Sequence, residues 1–112
     1  KKIDIKKYKK DLFSEIIEKQ KFIEYSPLSL KYLRDIGKII NTNDGGLLLF
    51  DYGYSENKFK DTIQAIQNHK YANILDNIGN RDITYNLNFY FLKKFIQSLK
   101  KLKSIYIIIF YN

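Results

Sequence analysis

An α/β fold is what this sequence predicts, and three observations carry the prediction. A capped amphipathic helix precedes a glycine turn, a short continuous apolar run follows that turn, and an alternating stretch then leads into a second capped helix. At 112 residues the chain can fill one domain, or part of one, around a single modest core. Hydrophobic residues at 45% and charged residues at 29% are ordinary for a folded protein and exclude wholesale disorder.

The elements follow in order. Lys1 to Lys10 is basic and weakly patterned. From Lys10 to Gln20, the apolar residues Leu12, Phe13, Ile16 and Ile17 fall at helical spacing. Phe22 to Tyr25 reads as extended. Ser26 can cap a helix and Pro27 fits its first turn, where a missing N–H costs nothing. Leu33, Ile36, Gly37 and Ile40 give that helix one buried stripe, and the run Asn41 to Gly46 stops it. Leu47 to Phe50, ending in Asp51-Tyr52-Gly53-Tyr54, reads as a strand buried on both faces of a helix-covered parallel sheet. Ser55 to Lys60 is a loop, and Asp61 to Tyr71 fits either a short helix or an irregular strand. Ile83, Tyr85, Leu87 and Phe89 alternate as in a strand. Asn88 then caps a helix whose stripe is Leu92, Phe95, Ile96 and Leu99. The tail, Ile105 to Tyr111, is strongly β-prone; either it pairs at a sheet edge or it is foreign to the original protein.

Composition removes several function classes. Without Cys there is no disulfide or thiolate chemistry, and with His69 as the only histidine there is no multi-histidine zinc site. No apolar run approaches the roughly 20 residues of a membrane-spanning helix, and no signal peptide is visible. A cytoplasmic or organelle-matrix setting is expected. The net charge of +8 is concentrated in the flanks, whereas residues 41–90 carry more acidic than basic side chains. Nearly all of the positive charge is Lys, and Arg34 and Arg81 are the only arginines. Specific nucleic-acid readers lean on the two-pronged arginine side chain, so a solvated lysine surface is the favoured reading over nucleic-acid binding.

Open α/β sheets bind ligands beyond the carboxyl ends of their strands, and Asp51 is expected at such an end. A carboxylate there can hold a cationic substrate, accept a proton or simply cap a turn, with Tyr52 and Tyr54 beside it and Gly53 allowing a tight exit. His69 can serve as a general base or as a hydrogen-bonding post, and the structural role is favoured because no partner is visible. Asp82 and Thr84 can brace a loop. Asp44-Gly45-Gly46 lacks the helix and spacing of a phosphate loop. No paired carboxylates, nucleophile elbow or metal-ligand spacing is present.

Four blocks resemble the MidA-like methyltransferases in order and spacing. They are Ile23-Glu24-Tyr25-Ser26-Pro27, then Gly45-Gly46 through Tyr54, then Asp61-Thr62-Ile63-Gln64-Ala65 with His69-Lys70, and finally Asp82-Ile83-Thr84 with Asn88-Phe89. The resemblance spans roughly residues 20–96. It implies the C-terminal part of a Rossmann-like class I methyltransferase fold, an incomplete sheet with flanking helices, using S-adenosylmethionine. Mitochondrial members are protein arginine methyltransferases that support assembly of respiratory complex I. By that resemblance Asp51 orients or neutralises a guanidinium, Tyr52, Tyr54 and His69 contact the substrate protein, and the compartment is bacterial cytoplasm or mitochondrial matrix. The family's glycine-rich cofactor loop and its following acidic residue are absent. Residues 97–112 depart from the family's usual ending. The expectation is therefore a single partial domain, residues 1–112, that binds S-adenosylmethionine weakly or not at all and is inactive alone. A non-catalytic assembly or scaffold factor with the same fold is the alternative, and a basic nucleic-acid-binding domain the third reading.

Overall fold

A computed structural model of the chain describes residues 20–21, 23–24, 26–99 and 105–110, the last stretch by its backbone alone. The expected helix over 10–20 lies outside the described residues except for Gln20, as do Phe22 and Tyr25 of the expected extended stretch and the tail beyond 110.

Helix α1 (Pro27–Asn43) starts where local chemistry dictates, with the Ser29 N–H donating to Ser26 Oγ at 3.3 Å. Leu30, Leu33 and Gly37 are its buried positions, and Ile40 is half-buried. Ile36 is exposed, so the inner stripe begins a turn earlier than its sequence spacing suggests. At the other end Thr42 Oγ1 donates to the Lys38 carbonyl at 3.0 Å, and Asn43 Nδ2 to that of Ile39 at 2.9 Å. These side chains serve carbonyls that a helix end otherwise leaves unpaired.

After the glycine turn comes β1 (Leu47–Tyr54), which continues through Asp51 and ends three residues beyond it. It lies at the centre of a parallel sheet, between β5 (Leu87–Asn88) and β6 (Ile105–Phe110). The register sets Leu47 opposite Ile105 and Gly53 opposite Leu87. Between β1 and β5 the chain builds a separate antiparallel sheet in the order β3-β2-β4, formed by β2 (Gln64–Gln67), β3 (Lys70–Ala72) and β4 (Asp82–Thr84). The ambiguous stretch 61–71 is thus a hairpin. Asn68 and His69 form its two-residue turn with φ of 49° and 60°, the left-handed pair that such a loop requires.

Two expectations need correction. The alternating run Ile83 to Phe89 is not one strand, because β4 belongs to the antiparallel sheet and β5 to the parallel one, with the crossing at Tyr85–Asn86. Phe89 already opens helix α2 (Phe89–Ser98), where Asn88 Oδ1 accepts from the Phe91 N–H at 3.1 Å. Nor is β1 buried on both faces. Leu47 and Leu49 pack on a core made by Leu30 and Leu33 of α1, Phe59 of the loop, and Phe91, Phe95 and Ile96 of α2. On the other face Leu48, Phe50 and Tyr52 remain 54%, 65% and 53% exposed. Both described helices lie on the Leu47 and Leu49 side of the sheet.

Arg34 reaches across the helix pair, its guanidinium 5.2 Å from the centre of the Phe95 ring. Phe59 and Phe91 pack tilted, with ring centres 5.5 Å apart.

Candidate functional site

The carboxyl end of β1 is crowded by necessity. A Cβ on Gly53 would stand 2.3 Å from the Leu87 carbonyl oxygen and 2.7 Å from the Phe89 ring. The glycine is therefore demanded by the close approach of β5 and of a fully buried ring, and not by a tight exit from the strand. Tyr54 follows, buried, and its hydroxyl accepts the Lys60 N–H at 2.9 Å while the Lys60 ammonium lies 5.1 Å from the ring centre. Burial raises the Tyr54 pKa above the ordinary 10.0, a shift opposed by the hydrogen bonds from Lys60 and Asn88.

The loop after Tyr54 is held from upstream. Gln20 Oε1 accepts from the Phe59 N–H at 2.9 Å, and Gln20 Nε2 donates to the Asn57 carbonyl at 3.1 Å. Glu24 accepts from the Thr62 N–H and hydroxyl, each at 2.5 Å, and from the Ile63 N–H at 2.9 Å. Thr62 Oγ1 in turn accepts from the Asn86 N–H at 3.0 Å. Thr62 precedes the antiparallel excursion and Asn86 follows it, so this relay closes the neck through which residues 63–85 leave and return. The first and third blocks of the resemblance meet here. Sequence reasoning assigned no role to Glu24, because its partners lie 38 and 39 residues away and nothing local signals them. The bracing expected of Asp82 and Thr84 falls instead to Glu24 and Thr62, since Asp82 and Thr84 are exposed on β4.

The expected site residues are only partly brought together. Asp51 is exposed within β1, its Oδ1 accepting the Tyr52 N–H at 2.7 Å. The pleat sends Asp51 to one face of the strand and Tyr52 and Tyr54 to the other, so the carboxylate and the two rings do not face one guanidinium together. His69 sits exposed on the hairpin turn of the separate antiparallel sheet. Where β1 ends, an open groove of about 300 Å³ is lined by Ser55, Tyr90, Lys93, Lys94 and Gln97, with the Lys94 ammonium 5.8 Å from the Tyr90 ring centre. Its two lysines suit an anion and would repel a guanidinium. Among the described residues no cluster of His, Asp and Glu could hold a metal ion.

A parallel β-strand core with a crossover helix, faced by helices and interrupted by an antiparallel excursion, defines an α/β module of the kind that open-sheet enzymes use. The chain belongs to the MidA-like family of S-adenosylmethionine-dependent methyltransferases: the family described as "Putative S-adenosyl-L-methionine-dependent methyltransferase" matches residues 2–108. Among curated proteins it is similar to Protein arginine methyltransferase NDUFAF7, mitochondrial, of Xenopus tropicalis, being 27% identical over 79 residues, or 70% of this chain and 18% of the relative. The chain thus spans less than a fifth of that relative's length. No solved structure matches it.

Family membership implies S-adenosylmethionine, and the described residues do not fit it. Gly45 and Gly46 lie at the amino end of β1, the edge opposite to the one where such sheets take ligands, and β1 leads into the 55–63 loop instead of a glycine turn and helix. No described helix is long and apolar enough to cross a membrane.

Proposed function

We propose that this chain is the C-terminal portion of a Rossmann-like methyltransferase domain that modifies an arginine side chain of a protein, with S-adenosylmethionine held by the rest of the domain. The family match over residues 2–108 carries the reading, and the arginine methyltransferase relative supports the choice of acceptor. Within it, exposed Asp51 orients and neutralises the acceptor guanidinium, a pairing for which a carboxylate is suited by charge and by its two oxygens. Tyr52 contacts the substrate protein from the opposite face of β1. Tyr54 acts indirectly by fixing Lys60, and His69 meets the substrate at the hairpin tip. A respiratory complex I subunit is the proposed substrate, and the mitochondrial matrix or bacterial cytoplasm the proposed setting. Alone, the 112 residues are inactive.

A chimera tests this reading: the Xenopus relative with its matched 79 residues replaced by the corresponding residues of this chain. It should transfer labelled methyl from S-adenosylmethionine to protein arginine, and Asp51→Asn should cut the rate at least tenfold with unchanged thermal stability. A folded chimera that binds S-adenosylmethionine but methylates nothing would favour the scaffold reading. Full activity of Asp51→Asn would remove Asp51 from the site.

A further inference from the structure

We infer that the groove lined by Ser55, Tyr90, Lys93, Lys94 and Gln97 is an anionic subsite, which receives a glutamate or aspartate side chain of the acceptor protein about four residues from the arginine to be methylated. This assignment rests on the arginine-acceptor reading above and adds a sequence requirement to it. Both lysines are exposed, and among the described residues no carboxylate pairs with either. On α2, Tyr90 stands one turn from Lys94 and Lys93 one turn from Gln97, while Ser55 closes the groove from the end of β1. The lining thus offers two ammonium groups, two hydroxyls and an amide around a space of about 300 Å³, room for an acidic side chain with its stem. Lysines are flexible point charges without the planar fork of arginine, which suits a mobile carboxylate. The nearby Phe91 N–H is already given to Asn88 Oδ1, so that first-turn amide is not offered to a phosphate.

Spacing and charge set the register. The pleat puts Asp51 on the side of β1 that carries Leu47 and Leu49, the side on which α2 packs. From residue 51 to residue 55 the chain advances about 13 Å at roughly 3.3 Å per residue, a length that an extended peptide covers in about four residues. The two ends of that span carry opposite charge. Lys93 and Lys94 repel a guanidinium and Asp51 repels a carboxylate, so a segment bearing both groups seats one way and its arginine is directed to Asp51. The groove also lies beyond the carboxyl end of β1, the edge at which open α/β sheets take their ligands.

Fluorescence anisotropy of labelled peptides titrated with the chain tests this, with binding and not turnover as the readout. The reference peptide carries one arginine and one glutamate at the stated spacing in an otherwise uncharged sequence. Glutamine in place of its glutamate should weaken binding about fivefold, the scale of two exposed ion pairs. The double variant Lys93→Gln, Lys94→Gln should weaken the reference peptide as much, with unchanged circular dichroism, and should no longer distinguish glutamate from glutamine. The double variant Lys93→Arg, Lys94→Arg, and Lys70→Gln on the distant hairpin, should each stay within about twofold of the parent. Absence of binding, or equal affinity for the glutamate and glutamine peptides, overturns the inference. So does an equal loss in Lys70→Gln, which would mean that net charge alone is read. Displacement of the reference peptide by equimolar inorganic phosphate would assign the groove to a phosphoryl group and overturn the carboxylate. Affinity that depends on the glutamate and on both lysines, yet ignores replacement of the peptide's arginine by alanine, leaves the subsite standing and removes the arginine-acceptor reading. Affinity that depends on the arginine and on Asp51, yet ignores Lys93→Gln with Lys94→Gln, does the reverse.

Discussion

Replacing Gly53 by alanine would drive a methyl group into the place where β1, β5 and α2 converge. The added carbon would lie 2.3 Å from a backbone oxygen and 2.7 and 2.8 Å from two carbons of the Phe89 ring. Ordinary contact requires about 3.4 Å or more, so the strand and the ring must both retreat by roughly 1 Å. Neither is free to do so. The oxygen belongs to Leu87, the residue paired with Gly53 itself, and Phe89 is 1% exposed. Overpacking of a tight core costs about 1–3 kcal/mol when neighbours can adjust. Full ejection of the Phe89 ring would forfeit up to about 4–6 kcal/mol, from 150–250 Å² at 25 cal/mol per Å². Gly53→Ala should therefore lose about 3 kcal/mol or more, which lowers Tm by roughly 12 °C or more in a domain of this size. Urea denaturation followed by circular dichroism measures it. A loss below about 0.5 kcal/mol would refute the reasoning, because it would mean that β5 does not press on β1.

Three further outcomes follow from the geometry. Glu24→Ala removes the acceptor for two backbone N–H groups and the Thr62 hydroxyl, and should cost about 2–3 kcal/mol in urea denaturation; limited proteolysis should find the 55–63 loop cut faster. Asp44 caps α1 with φ 56° and ψ 154°, backbone that suits glycine almost alone. Asp44→Gly should thus stabilise by about 0.5–1 kcal/mol, since relief of strain exceeds the added freedom of the unfolded chain; a lower Tm would contradict it. Tyr54 titrates higher when folded, so its neutral form contributes stability that is level below pH 10.0 and lost as pH rises through the folded value. The stability difference between the parent and Tyr54→Phe should consequently narrow above pH 10.0, and a constant difference from pH 8 to 11 would oppose that sign.

Local chemistry made part of this fold legible from sequence. Ser26-Pro27 and Asn88 announce helix starts because their partners lie three residues on, within sight of any short window. Leu47 to Phe50 announces a strand through its unbroken apolar run, but the same run could not reveal that the described helices would both pack on the Leu47 and Leu49 side. Continuous hydrophobicity records a requirement for burial, and not which chain supplies it. Ile83 to Phe89 misled because period-two alternation persists across Tyr85–Asn86, where the chain passes from one sheet to the other. The turn at Asn68-His69 escaped notice since neither residue is glycine, although both adopt left-handed backbone. Of the candidate site, the strand itself was legible, but neither its end beyond Asp51 nor the facing of its residues was. Counting residues from Asp51 to Tyr52 and Tyr54 would have separated them at once, had the strand been known to run past Asp51. Glu24 depends wholly on long-range closure and leaves no local trace.

The clasp formed by Glu24, Thr62 and Asn86 has a bearing on how such a protein can diversify. Residues 63–85 join the remainder through a narrow stem, so a hairpin of another length or composition could be grafted there without disturbing Gly53 or Phe89. The polypeptide just ahead of α1 supplies the carboxylate that pins the stem, which makes the outgrowth's anchorage contingent on a segment laid down earlier in the chain. Specificity can be rewritten in such an appendage while the scaffold beneath it is left alone.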